Sequence, residues 1–178
     1  MTIKKLTDEL VYDLHKANQP FDIIGRMDIT FSGGKWDFKE VLFDTVTEKQ
    51  YPNYDGAVPF DYIEDEDRDA FLVYEKGECV GQMLIAASWN GYAHIEDLSV
   101  ARAWRGKGVG TSLLKKAAEW AKEKGFFGIS LESQDNNLLA TRFYIKNGMH
   151  IGSVDTKLYH NLGEPYNRET AVFWYLDF

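Results

Sequence analysis

The stretch from Tyr92 to Ser133 constrains the fold more than any other part of the chain. It begins with a β-rich run, "YAHIEDLSVA", passes through "WRGKGVG", continues into an apolar stripe at helical spacing and ends in a second β-rich run, "FFGISLES". The stripe is Val109, Leu113, Leu114, Ala117, Trp120 and Ala121, and it stops at Gly125. Strand, crossover helix and strand point to a parallel pair inside a larger sheet. The turn itself holds three glycines in five residues, Gly106, Gly108 and Gly110. Inside a helix each would cost roughly 1 kcal/mol, so a bare backbone there should gain something. An anion at a helix N-terminus is the obvious gain, because unpaired N–H groups and the positive dipole end both favour negative charge.

Two well-known phosphate loops do not fit. The Walker pattern needs Lys then Ser or Thr after its last glycine, and Gly110 is followed by Thr111 and Ser112. The dinucleotide pattern needs glycine where Thr111 or Leu113 stands. What remains is Arg105-x-x-Gly108-x-Gly110, and on those residues alone an ordinary strand-to-helix turn is an equal reading.

The rest of the chain supplies more strands. "AFLVYE", "CVGQMLIAAS" and "YAHIEDLSVA", joined at Lys76-Gly77 and at Asn90-Gly91, predict an antiparallel meander. "FDIIGRMDITF" and "KWDFKEVLF" predict a hairpin across Gly33-Gly34, and "HIGSVDTKLY" and "TAVFWYLDF" two closing strands. "TDELVYDLHKAN" predicts a short helix with Thr7 as N-cap, and "NNLLATRFYIKNG" one capped by Asn and ended by Gly148. The expectation is one α+β domain over residues 1–178, with a mixed central sheet of about seven strands flanked by helices.

Composition narrows the function classes. A 44% apolar fraction with 15% aromatics argues for a packed core. No run of about 18 apolar residues predicts a membrane span, and "MTIKKLTDEL" lacks the apolar stretch of a signal peptide, so a cytoplasmic protein is expected. One cysteine, Cys79, and four scattered histidines give no metal spacing. Net charge is −8, and the acids crowd into residues 1–100, with "DYIEDEDRD" holding six of them. An acidic half beside a basic glycine loop suits an enzyme holding a phosphorylated cosubstrate and a cationic substrate, and argues against nucleic acid. The bland alternative for that acidic run is a solvated loop.

Three motifs together resemble one family, the GNAT acyl-CoA N-acyltransferases. They are "RGKGVG", the preceding strand "HIEDLSVA", and "NNLLATRFYIKNGM" further on, in the family's order over about half the chain. Within it the chain looks most like the streptothricin N-acetyltransferases, through "WNGYAHIEDLSV", "LESQDNNLLATRFYIKNGM", "DTKLY" and "AVFWYLDF". Ser133 and Met149 depart slightly from that pattern.

The resemblance implies acetyl-CoA as cosubstrate, no metal, and direct acetyl transfer to an amine of streptothricin in a ternary complex. It implies that the loop from Arg105 through Gly106, Lys107, Gly108, Val109 and Gly110 to Thr111 wraps the pyrophosphate. The strand edge Leu98, Ser99 and Val100 would pair with the pantetheine arm where the sheet splays, with an N–H near Leu98 at the thioester oxygen and Asn137 as a further contact. Tyr144 would protonate the departing thiolate and Glu96 would act as base, directly or through a water. Strict alternation sends Glu96 and Asp97 to opposite faces unless a bulge intervenes; of the two, the resemblance implies Glu96 as the base, with Asp97 as an amine anchor or structural partner. Glu132 is a second candidate carboxylate for the substrate, and Trp89 and Tyr159 offer rings to its cationic parts. Surface acid for Glu132 and core aromatic for Trp89, Tyr159 and Tyr144 are the plain alternatives. Another amine as substrate, a non-catalytic coenzyme A sensor and an interaction module remain open. So does the oligomeric state, a homodimer being one option.

Overall fold

The structure, a computed structural model, describes residues 1–53 and 59–178. Its strands are β1 (Thr2–Lys5), β2 (Phe21–Ser32), β3 (Lys35–Lys49), β4 (Arg68–Glu75), β5 (Glu78–Ala87), β6 (Ala93–Val100), β7 (Gly128–Gln134), β8 (His150–Asp155) and β9 (Ala171–Asp177). The helices are α1 (Asp61–Glu64), α2 (Val109–Glu123) and α3 (Leu138–Lys146). Seven strands form one mixed sheet in the order β1-β4-β5-β6-β7-β9-β8, and β2-β3 is a separate two-stranded ribbon. The chain divides into two compact units, one of Met1–Phe21, Gln50–Ile129 and Asp177–Phe178, the other of Asp22–Lys49 and Ser130–Leu176. β7 runs through both.

In the first unit the antiparallel meander forms as the sequence suggests. β4 pairs with β5 (Leu72 opposite Gln82) and β5 with β6 (Gln82 opposite Ser99). Lys76 and Gly77, at φ 50° and 85°, make the left-handed turn that joins β4 to β5. One sheet face carries Phe71, Met83, Ile85 and Ile95, all at most 5% exposed, and α2 packs over β5 and β6. All six residues of the predicted stripe on α2 are buried, each large side chain contributing roughly 1.5–3 kcal/mol. Gly81 permits that approach, since a Cβ there would lie 2.6 Å from Val109 Cγ1. α2 stops where predicted: Gly125 turns left-handed at φ 77° and Phe126 N–H closes back on the Ala121 carbonyl. The other face holds a cluster of Leu6, Tyr62, Ala70, Leu72 and Leu84.

Two expectations change here. β1 was not foreseen; it pairs antiparallel with β4, Ile3 opposite Val73. The residues after Thr7 form a 3₁₀ turn over Asp8–Asp13, and the Thr7 side chain makes no capping bond. Its apolar side chains, Leu10, Val11 and Tyr12, are consecutive and so spread round a helix instead of lining one face.

In the second unit the hairpin turns at Gly33-Gly34, φ 59° and 78°, but it stays outside the seven-stranded sheet. Asn137 Oδ1 accepts the Ala140 N–H and caps α3, and Gly148 at φ 86° ends it. β8 and β9 pair antiparallel, Val154 opposite Val172. Trp174, 1% exposed, donates from Nε1 to Ser133 Oγ at 3.0 Å, so Ser133 has a fixed structural partner.

Candidate active site

The acid pair lies in β6 at a break in the ladder. Leu84 faces Asp97 and Ile85 faces Ile95, which leaves Glu96 as the extra residue of a β-bulge. The bulge resets the alternation. Asp97 lies opposite Leu84, and Glu96 Oε2 accepts a 2.6 Å bond from the hydroxyl of Tyr62, which packs in the same cluster as Leu84. Both carboxylates therefore serve one face, in place of the opposite faces that strict alternation gives.

Their partners are neutral. Asp97 Oδ2 accepts from Gln82 Nε2 at 2.6 Å, and Ser99 Oγ lies 2.9 Å from Oδ1. Neither Glu96 nor Asp97 has an ion-pair partner among the described residues. Other covered acids do: Asp69 has Lys5, Asp135 has Arg26 and Glu169 has Lys49. Burial pushes the Asp97 carboxyl above its usual range, against the pull of the Gln82 and Ser99 bonds. Burial also holds His94 below the usual imidazole range, against Glu96, so His94 is no counter-ion near neutral pH. An uncompensated pair of carboxylates is a site for a cation.

Sequence reasoning did not single out Tyr62, Gln82 or His94. Gln82 was visible as the one polar side chain in "VGQMLIAA", and it is 0% exposed. Tyr62 lay inside "DYIEDEDRD", where the acids drew attention. Of those acids, Asp69 is spent on Lys5 and Trp120 Nε1, and Asp65 on Arg68 and the Asp67 N–H.

The glycine loop follows β6. Gly106 and Gly108 stand at φ 73° and 88° with open space where a Cβ would project. Gly108 is the N-cap of α2, and Ser112 is the first residue whose N–H returns to it. The N–H groups of Val109, Gly110 and Thr111 precede that first bond and are uncommitted. The Lys107 N–H turns back to the Trp104 carbonyl at 3.4 Å, and its ammonium sits over the Trp104 ring. Arg105 is placed differently from a simple surface charge. Its guanidinium donates to the carbonyls of Val100, Pro20 and Gln19 at 2.7–3.0 Å, so it fastens the loop to residues 19–20. The loop therefore offers an anion three helix-end N–H groups and Lys107, with Arg105 engaged elsewhere.

The second unit brings Glu132 and Tyr159 together, with the Tyr159 hydroxyl donating to Glu132 Oε1 and Gln134 Nε2 bonding Tyr159 at 2.7 Å. Burial raises the Glu132 carboxyl despite that hydroxyl. Tyr144 is 8% exposed, its ring against Phe143 and Trp174. Trp89, back in the first unit, is 98% exposed in the turn between β5 and β6, so it is not a core residue. Among the described residues no cluster of His, Cys, Asp or Glu could hold a metal ion, and no helix is long and apolar enough to cross a membrane.

Residues 36–149 match the model of the "Acetyltransferase (GNAT) family". The chain belongs to the GNAT family. This GNAT chain is 47% identical over 176 residues, 99% of each protein, to streptothricin acetyltransferase A of Bacillus subtilis strain 168. It is 38% identical over 119 residues to a streptothricin acetyltransferase of Escherichia coli, covering 65% of this chain and 68% of that one. In three dimensions it is similar to a Bacillus anthracis protein assigned as a streptothricin acetyltransferase and solved with acetyl coenzyme A. That match has a TM-score of 0.90 at 30% identity over 99% of both chains. It is also similar to nourseothricin acetyltransferase, at a TM-score of 0.83 and 25% identity over 99% of this chain and 97% of that one.

Proposed function

We propose that this GNAT protein transfers the acetyl group of acetyl-CoA directly to an amine of a streptothricin, on its β-lysine side chain, and so inactivates the antibiotic. The observation that carries the reading is the acid pair Glu96 and Asp97, brought to one face by a bulge and without an ion-pair partner among the described residues. A polycationic amine supplies the missing charge. The relatives named above support the choice of amine.

An amine with pKa near ~10.4 is only about one part in a thousand neutral at pH 7.4, so the site has to take a proton. Glu96 does so, directly or through a water, and Asp97 holds the cation. Glu132 and Tyr159 add a carboxylate and a ring for the rest of the substrate, and Trp89 a second ring. Acetyl-CoA is held by the N–H groups of Val109, Gly110 and Thr111, by Lys107, and by the edge Leu98–Ser99–Val100 where β6 and β7 splay, with Asn137 contacting the pantetheine arm. An N–H near Leu98 stabilises the thioester oxygen, and Tyr144 gives a proton to the departing thiolate. We place this enzyme in the cytoplasm as one GNAT domain, alone or as a homodimer.

The test is purified protein with acetyl-CoA and streptothricin, followed by thiol release and by the mass of the antibiotic. A gain of one acetyl group on the β-lysine amine is expected. Binding of acetyl-CoA without streptothricin turnover would move the reading to another cationic amine, and no acetyl-CoA binding at all would remove it.

A further inference from the structure

His15 is one of two non-glycine residues with a left-handed backbone among those described, at φ 66°. The other, Lys76, sits in a hairpin turn that demands it. His15 does not; it follows the 3₁₀ turn, and its conformation costs roughly 1–2 kcal/mol. What the conformation gains is direction: the His15 N–H points at Gln82 Oε1, 2.6 Å away.

That bond decides the orientation of an amide. A backbone N–H can only donate, so the oxygen of Gln82 must take that bond and the nitrogen is left for acceptors: His15 Nδ1 lies 3.5 Å from it, and a closer one lies the other way. The other way is Asp97, whose Oδ2 accepts from Nε2 at 2.6 Å. Gln82 is 0% exposed between neighbours that include Leu72 and Leu84 on the same face. A leucine would fill such a place without the desolvation cost of a primary amide. A lysine or arginine would reach Asp97 too, but would bring its own cation to the site. Glutamine is the residue that fixes the carboxylate without bringing a counter-charge to it.

We propose that Gln82 is a positioning residue for the cationic substrate: oriented by the His15 N–H, it holds the Asp97 carboxylate where the amine docks. The proposal rests on the function proposed above for the identity of the amine, but its geometry does not involve the acetyl donor. His15 orients the amide chiefly through its backbone N–H at 2.6 Å, its imidazole Nδ1 lying 3.5 Å from Gln82 Nε2.

Three variants separate this from a structural role. Gln82→Leu, and Gln82→Met as the unbranched alternative, should raise KM for streptothricin about tenfold, equivalent to about 1.4 kcal/mol, and leave KM for acetyl-CoA and kcat within about twofold. His15→Gly keeps the N–H and favours positive φ but removes the imidazole beside the Gln82 amide, so it should raise streptothricin KM by less than the Gln82 variants do. The idea fails if Gln82→Leu and Gln82→Met leave streptothricin KM unchanged, if they weaken both substrates alike, or if His15→Gly loses as much as they do. A wild type inactive on streptothricin would refute the proposed function alone, because a second readout needs no substrate. In protein labelled with ¹³C at aspartate Cγ, the Asp97 signal, assigned with Asp97→Asn, should titrate at higher pH in Gln82→Leu, since the anion loses a donor. The other groups facing Asp97, namely His15, Ser99, Glu96 and His94, are unchanged in that variant. An unmoved titration overturns the proposal.

Discussion

The hydroxyl of Tyr62 bonds Glu96 Oε2 at 2.6 Å from a side chain that is 1% exposed. A base candidate is thus held by a residue locked in the core, from a helix only four residues long. Glu96→Gln should lower kcat by ~10²-fold or more while acetyl-CoA affinity stays within about twofold. Tyr62→Phe keeps the ring but removes one bond, so it should cost about 1 kcal/mol of stability and a smaller share of kcat. Stopped-flow thiol detection and thermal melts read both. A full kcat in Glu96→Gln would transfer the proton to another group.

Asp97 predicts opposite effects on stability and binding. Its folded pKa is raised by burial, so the native state binds the extra proton and the gain from it is present at low pH. That stability is fully present below the unfolded value of 3.8 and is lost as pH rises through the folded value. Asp97→Asn removes the dependence, so its melting temperature relative to wild type should be higher at pH 7.5 than at pH 4. Streptothricin KM should rise in the same variant, and further in Asp97→Lys. A melting difference that is flat with pH would show that Asp97 carries no burial cost.

Gly108 is the loop position where geometry alone is decisive. A Cβ there meets nothing within 4 Å, but φ 88° disfavours any other residue. Gly108→Val should therefore turn the N–H groups of Val109 to Thr111 away and raise the acetyl-CoA dissociation constant by more than ~10-fold. Calorimetry on the folded variant checks this, and unchanged affinity would remove the loop from the cosubstrate site.

Tyr144→Phe leaves the contacts with Phe143 and Trp174 in place, so the melting temperature should move little. A proton donated only in the transition state matters to kcat and kcat/KM together, and a thiol of pKa ~8.5 is already a fair leaving group. The expected loss is at the low end for general acid catalysis, roughly 10²-fold. Full activity with lost stability would make Tyr144 a core residue.

How far the sequence could be read followed the range of each interaction. α2 was legible to the residue because Val109 through Ala121 repeat at 3.6 and glycines mark both ends. α3 was legible from Asn137 and Gly148 for the same local reason. β1 was not, because four residues alternate too briefly to signal and its pairing with β4 spans about seventy residues of chain. Glu96 and Asp97 could be chosen by type, but their shared face depended on a bulge that only the partner strand reveals. Arg105 was read as a charge for the phosphates, whereas the carbonyls of Gln19 and Pro20 that receive it lie far back in the chain.

The bulge at Glu96 has a consequence for which changes this chain can tolerate. Ile95 and Leu98 both face α2's side of the sheet, opposite Ile85 and Met83, although they stand three positions apart, and three steps along a regular strand would put them on opposite sides. The extra residue supplies the missing half-period. Point substitutions at 96 or 97 can alter the chemistry and keep that phase. Deleting one residue there would restore a regular strand with Ile95 and Leu98 still on one side, two steps apart, and would leave room for a single acid on the other face. The bulge is therefore what lets this strand carry two acids between Ile95 and Leu98 without turning either apolar side chain out of the core, and a chain one residue shorter there would keep its packing and lose half of the acid pair.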